Sequence, residues 1–152
     1  MKKNNRLVIL GGGFISSSVK KFLHKKGKKV IIIRKKKIDL SKINQAKNLT
    51  NIIKKDDIVF VAAALAPVKN KKMYKYNIKI ASNIVKIFRK LKFSKFIYLS
   101  SDAVYSDTLN KINETSETSP QSLHGQMHLK REIMFKKLTK NNITIIRPTL
   151  VY

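Results

Sequence analysis

Gly11, Gly12 and Gly13, followed by Phe14, Ile15 and Ser16, form the densest chemical signal in the chain. They fit G-x-G-x-x-G with Ser16 in the third small position. Gly11 permits a tight turn, Gly13 lets backbone approach a pyrophosphate, and a small third residue allows close helix–strand packing. A helix opening here offers unpaired N–H groups and partial positive charge to an anion. The apolar run before the glycines and the amphipathic stretch after them point to a dinucleotide, with an ordinary strand–helix turn as the bland reading. NAD sites usually carry Asp or Glu about 20 residues further on, for the ribose hydroxyls. Here the second apolar run ends at Arg34, followed by Lys35, Lys36 and Lys37. A guanidinium binds a 2′-phosphate bidentately, so NADP(H) is favoured over NAD(H).

Three more side chains can do chemistry. His124 and His128 have i, i+4 spacing, which puts both on one face of a helix. A neutral imidazole serves as general base or acid near neutral pH. Such a pair also suits a metal ion, but no third ligand stands near it in sequence, and no metal site is assigned. Ser101 closes an apolar run; it suits a catalytic hydroxyl, or a strand-end turn.

These residues need a scaffold. Residues 7–10, 30–33, 58–61, 96–99 and 143–146 are short apolar runs rich in β-branched or aromatic residues. Continuous apolarity marks strands covered on both faces, as in a parallel sheet. Helices are expected over 14–26, stopping at Gly27, over 73–91 with Ile78, Ala81, Val85, Phe88 and Leu91 inward, and over 125–140 with Met127, Ile133, Met134 and Leu138. Residues 35–55 suggest a short strand at Ile38 and a helix over 43–53. Residues 106–122 read as a long polar loop, a common place for function. Strand–helix alternation argues for an α/β, doubly wound parallel sheet of about six strands in a single domain over residues 1–152.

Composition narrows the classes. The 152 residues include 34 Lys+Arg and 8 Asp+Glu, a net charge of +26. Nucleic acid is the obvious partner for such charge. Yet the lysines are dispersed, and the longest basic run, residues 34–37, is shorter than the blocks of about five or six typical of interaction tails. The aromatics sit inside apolar runs and do not form stacking platforms. Drift toward Lys, Asn and Ile is the simpler account, so no specific nucleic-acid partner is expected. Cysteine is absent, which excludes disulfides, thiolate metal sites and cysteine nucleophiles. No apolar run approaches the roughly 18–20 residues of a membrane span, and the basic start lacks a signal-peptide core. A cytoplasmic location is expected.

Together these segments resemble the extended short-chain dehydrogenase/reductase family, the NAD(P)-dependent epimerase/dehydratase group. Residues 10–16 resemble its glycine loop, in a form one residue shorter than the commonest. Asp39-Leu40 resembles its adenine-contacting pair. Residues 58–64 resemble a strand ending in cofactor-lining alanines, Ala62, Ala63 and Ala64. Asn77 sits where the family has a helix asparagine, residues 98–105 resemble the catalytic serine segment, and residues 147–152 resemble its last strand end. The resemblance implies a Rossmann-like fold lacking the C-terminal substrate part. It implies cofactor contacts at Gly11, Gly13, Phe14, Ile15, Ser16, Arg34, Asp39, Leu40, Ala62, Ala63, Ala64, Asn77, Ser100, His128 and Pro148. It implies catalysis by Ser101 with the Tyr-x-x-x-Lys positions, here His124 and His128. Asp102 resembles a dehydratase acid, but Ala103 stands where that branch has Glu. The implied activity is hydride transfer on a nucleotide-sugar-like substrate, in a chain that often pairs through two helices as a homodimer. A non-catalytic or decayed dinucleotide-binding module is the alternative, favoured by the lost Tyr and Lys; a basic nucleic-acid-binding protein is the third reading.

Overall fold

The computed structural model describes residues 6–106, 111–138 and 142–149. Five strands form one parallel sheet in the order β2-β1-β3-β4-β5. They are β1 (Leu7–Leu10), β2 (Val30–Ile33), β3 (Ile58–Val61), β4 (Lys95–Leu99) and β5 (Ile143–Ile146). Each expected apolar run is a strand. β1 lies between β2 and β3, with Leu10 opposite both Ile33 and Val61. The strand order therefore reverses beside β1. Such a switch point, outside the carboxyl ends of the strands, is where open α/β sheets bind ligands.

Among the described residues four α-helices connect the strands: α1 (Phe14–Lys25), α2 (Ile43–Ala46), α3 (Lys71–Phe88) and α4 (Leu123–Leu138). α1 ends as expected at Gly27, whose φ of 66° suits a left-handed cap. The Gly27 and Lys28 amides close it onto the carbonyls of His24 and Leu23, a Schellman arrangement. α3 starts at Asn70, whose side chain accepts from the Met73 amide and so satisfies one orphan N–H of the first turn.

Several expectations give way. The described residues hold five strands, not six. Ile38 is not in a strand: the Lys37 and Ile38 amides both donate to the Arg34 carbonyl, turning the chain as soon as β2 ends. The helix expected over 43–53 is one α turn followed by a 3-10 segment, Lys47–Asn51. Asn48, Thr50 and Asn51 favour side-chain-to-backbone bonds over a continuous helix, and the Thr50 hydroxyl donates to the Lys47 carbonyl. The inward face of α4 is also rotated from the expected one. Ile133 is exposed, while Gly125, Met127, His128, Arg131, Glu132 and Phe135 are buried.

The core lies between the sheet and the α3–α4 layer. Phe88 of α3, Phe96 of β4 and Phe135 of α4 meet in sequence, with ring centroids 5.7 Å and 5.1 Å apart. Tyr98 continues the chain at 4.9 Å from Phe135. Such edge-on and tilted contacts are the favoured aromatic geometry. Tyr98 thus carries the core to the door of the site.

At the opposite end of the sheet, Arg6 forks onto Asp57 at 2.8 and 2.6 Å. Burial alone would raise the Asp57 carboxyl, but Arg6 and the Lys54 amide outweigh it and hold it below the ordinary carboxylate range. A folded-state pKa below the unfolded one contributes stability above the unfolded value, and that stability is lost as pH falls through the folded value. Asp57→Asn is therefore expected to lower stability at neutral pH and to shrink its loss on acidification, as read by urea unfolding across an acid pH series.

Candidate active site

β1 delivers Gly11 with φ of 114° against the end of β3. A Cβ there would lie 2.7 Å from the Ala63 nitrogen, so no other residue fits. A Cβ on Gly13 would meet nothing within 4 Å. Open space therefore lies over the start of α1, whose N-terminus has no side-chain cap. Its first N–H groups remain available to an anion. Ser16 is buried where the small third residue was expected, Ile15 is half-buried, and Phe14 is exposed.

A cleft of ≈ 200 Å³ follows from these glycines. Asp39, Leu40, Ala62, Ala63 and Ala64 line it, all expected, together with Lys35, Tyr76 and Ile80, which sequence reasoning missed. The Asp39 carboxylate accepts from the Ser41 hydroxyl and amide; that hydroxyl leads the causes holding it below its ordinary pKa. Lys35 lies 5.2 Å over the Tyr76 ring. Arg34 donates to the Gly12 carbonyl at 2.6 Å, and its stem would block any side chain on Gly12. Asn77 works on the loop after β3. Its amide accepts from the Leu65 N–H and donates to the Leu65 carbonyl.

The second group of residues forms around the start of α4. Ser101 caps the 3-10 turn Asp102–Val104, accepting from the Ala103 amide at 3.2 Å. Its hydroxyl also donates to Asp102. Gly125 packs on that turn so closely that a Cβ would lie 1.8 Å from the Ala103 carbonyl oxygen. This contact brings His124 beside the serine turn. Glycine inside a helical pattern is a signal of close approach. Its place directly after His124 could have revealed the contact.

His124 Nδ1 accepts from the Val68 amide at 3.3 Å. Burial lowers its pKa, opposed by Asp102. His128 lies deeper, stacked edge-on with His124 at 4.6 Å, and its Nδ1 is 2.7 Å from the Tyr98 hydroxyl. Burial, then the Arg131 and His124 charges, push its pKa down to about 3. His128 is therefore neutral at physiological pH. Among the described residues no three His, Cys, Asp or Glu side chains group to hold a metal ion.

Charged groups absent from sequence reasoning hold this arrangement. Arg131, fully buried, donates to the Ala63 carbonyl at 2.8 Å and stacks over Tyr98 at 5.1 Å. It ties α4 directly to the wall of the glycine cleft. Glu132 accepts from the buried Ser100 hydroxyl at 2.6 Å and takes a fork from Arg147 at 2.9 and 2.7 Å. Arg147 also donates to the Tyr105 hydroxyl, and next to it the Pro148 carbonyl accepts from the Asp102 amide. A larger open cavity of ≈ 1020 Å³ lies beyond Asp102 on the β5 side and holds none of the expected cofactor residues.

A model of the NAD dependent epimerase/dehydratase family matches residues 7–152. A search of the curated proteins finds no significant match. Among solved structures, dTDP-4-dehydrorhamnose reductase from Bacillus anthracis in complex with NADP is similar at 21% identity and a TM-score of 0.75, covering 97% of this chain and 55% of that one. UDP-glucuronic acid 4-epimerase from Bacillus cereus in complex with NAD is similar at 22% identity and 0.76, covering 96% and 57%. UDP-glucose 4-epimerase from Thermotoga maritima with UDP-glucose is similar at 19% identity and 0.77, covering 93% and 54%. The chain thus spans about half the length of these proteins. None of the helices in the described residues is long and apolar enough to cross a membrane.

The Gly125 contact is the most sensitive point of this geometry. Gly125→Ala is expected to cost about 1–3 kcal/mol or more, as overpacking does. Urea unfolding reads the loss, and the His124 ring resonances should shift as α4 moves off the serine turn.

Proposed function

The chain belongs to the NAD dependent epimerase/dehydratase family, and from that premise we propose that it is an NAD(P)-binding oxidoreductase or epimerase-like domain. It binds the dinucleotide across Gly11–Ser16 and acts on a nucleotide-sugar-like substrate. One observation carries this reading: Arg131 joins the glycine cleft to the serine–histidine cluster through the Ala63 carbonyl. A cofactor laid along the cleft would then run toward Ser101 and His124.

The fit of the cofactor is supported by the open space over Gly13 and the uncapped start of α1. These features would receive the pyrophosphate. Asp39, Leu40 and the alanines would enclose the adenosine half. Asn77 would shape the cleft wall through Leu65, and Ser100 would do so through Glu132. Arg34, held over the glycine loop by the Gly12 carbonyl, would take a 2′-phosphate, which favours NADP(H). When bound, the cofactor supplies the hydride chemistry, and the protein supplies orientation and proton handling. Ser101 would hydrogen-bond the reacting substrate oxygen. His124, at the tyrosine position, would meet that oxygen directly, with His128 behind it.

A non-catalytic dinucleotide-binding module is the second reading. It is favoured by the neutral, buried state of His128, which supplies no cation where the resemblance implies a lysine.

A thermal-shift titration tests the binding. NADPH at 100 times its dissociation constant should stabilise the fold by about 2.7 kcal/mol, and NADH should act less. A flat response to both nucleotides would sink the proposal. Arg34→Ala should weaken NADPH roughly 10- to 100-fold, the worth of a charge-assisted hydrogen bond, and leave NADH nearly unchanged. His124→Ala should abolish turnover with a keto-sugar nucleotide while cofactor binding persists; a variant that still turns over would leave the second reading in its place.

A further inference from the structure

The two histidines are capped on the same ring atom by two different donors. The Val68 backbone N–H can only donate, so His124 Nδ1 meets it with a lone pair. In a neutral ring the proton then sits on Nε2. His128 reaches the same state by another route. Tyr98 is completely buried, and its hydroxyl has one proton to place. Among the described residues its hydrogen-bond partner is His128 Nδ1, at 2.7 Å. Were Nδ1 to donate instead, the hydroxyl proton would be buried without an acceptor, at a cost of about 1–3 kcal/mol. Tyr98 therefore donates, and the His128 proton also sits on Nε2.

We propose that the Val68 amide and the Tyr98 hydroxyl lock His124 and His128 as neutral Nε2–H tautomers, so that neither ring can serve a ligand as a base and His124 meets it as an uncharged hydrogen-bond donor. Tyr98 is a positioning residue in this arrangement: it acts on the ligand only through His128. The lock has a chemical consequence. A ring whose Nε2 already carries a proton, and whose Nδ1 lone pair is committed to a donor, has no site free to accept another. It cannot take a proton from a sugar hydroxyl without first breaking its cap. It can polarise an oxygen that accepts hydrogen bonds. On the reading that the substrate meets the cofactor here, the group that fits is the carbonyl of a keto substrate, not a hydroxyl awaiting oxidation.

The surroundings agree with an uncharged pair. Arg131 stacks on Tyr98, and its positive charge disfavours a proton on His128. Among the described residues Asp102 is the negative neighbour that favours charging His124, and burial outweighs it.

Long-range ¹H–¹⁵N correlation on the free 152-residue chain near neutral pH reads the tautomers directly. Both rings should show a pyridine-like Nδ1 and a pyrrole-like Nε2. In Tyr98→Phe, which keeps the ring packing on Phe135 and Arg131, the two His128 nitrogen shifts should move toward each other as the tautomers mix, while His124 keeps its pattern. A pyrrole-like Nδ1 on either histidine of the unaltered chain would overturn the proposal. So would a His128 pattern unmoved by Tyr98→Phe in a variant whose backbone spectrum shows it folded. Because no nucleotide is present, failure here is separate from failure of the cofactor titration. The tautomers can hold in a chain that binds no NADPH, and a chain that binds NADPH can lack them.

Discussion

The position of α4 depends on burying ionic groups where a helix normally buries hydrocarbons. Desolvating a guanidinium or a carboxylate costs several kcal/mol, and breaking such a pair by removing one partner costs about 3–5 kcal/mol. α4 carries both kinds of charge on its inner face. Glu132 is matched by a forked arginine and a serine hydroxyl. Arg131 is matched by a carbonyl and by the faces of two aromatic rings. Apart from the Phe135 ring on α4 itself, these partners come from β4 and from residues just past the ends of β3, β4 and β5, so the helix meets them in one register only. Sliding it by a turn would strand both charges in the core. The serine turn, the histidines and the cleft wall take their places from that register.

This organisation explains why hydrophobic periodicity misplaced the inner face of α4. Periodicity assumes that the buried side is the apolar side. Arg131 and Glu132 violate that assumption, and Ile133 beside them is exposed. β1, β2, β3, β4 and β5 gave no such trouble, since parallel strands covered on both faces are apolar throughout. The glycine loop was equally legible, because each glycine answers a local steric demand. Ile38 was misread for the opposite reason. Its apolar side chain is buried, but as the plug of a turn whose amides fold back on Arg34.

The histidine segment was legible in position and not in its hydrogen bonding. Spacing alone put His124 and His128 on one face of a helix. Nothing local announces that Val68 and Tyr98 would cap them, because those contacts span 56 and 30 residues. Non-local polar contacts of this kind leave no periodic trace. They become visible only when the sheet has brought the ends of β3 and β4 beside α4.

The chain's cations divide by type in an instructive way. Lysine is the default positive residue, and among the described residues no lysine is buried. The five arginines are Arg6, Arg34, Arg89, Arg131 and Arg147. Four of them make specific side-chain bonds, to Asp57, Gly12, Ala63 and Glu132. A guanidinium is planar, rigidly forked and weakly hydrated, whereas an ammonium is a strongly hydrated point charge. At Arg6, Arg131 and Arg147 a lysine would lose the fork or the stack. In a sequence so rich in lysine, a guanidinium acts as a ruler. It marks the places where direction matters, and elsewhere charge alone is enough.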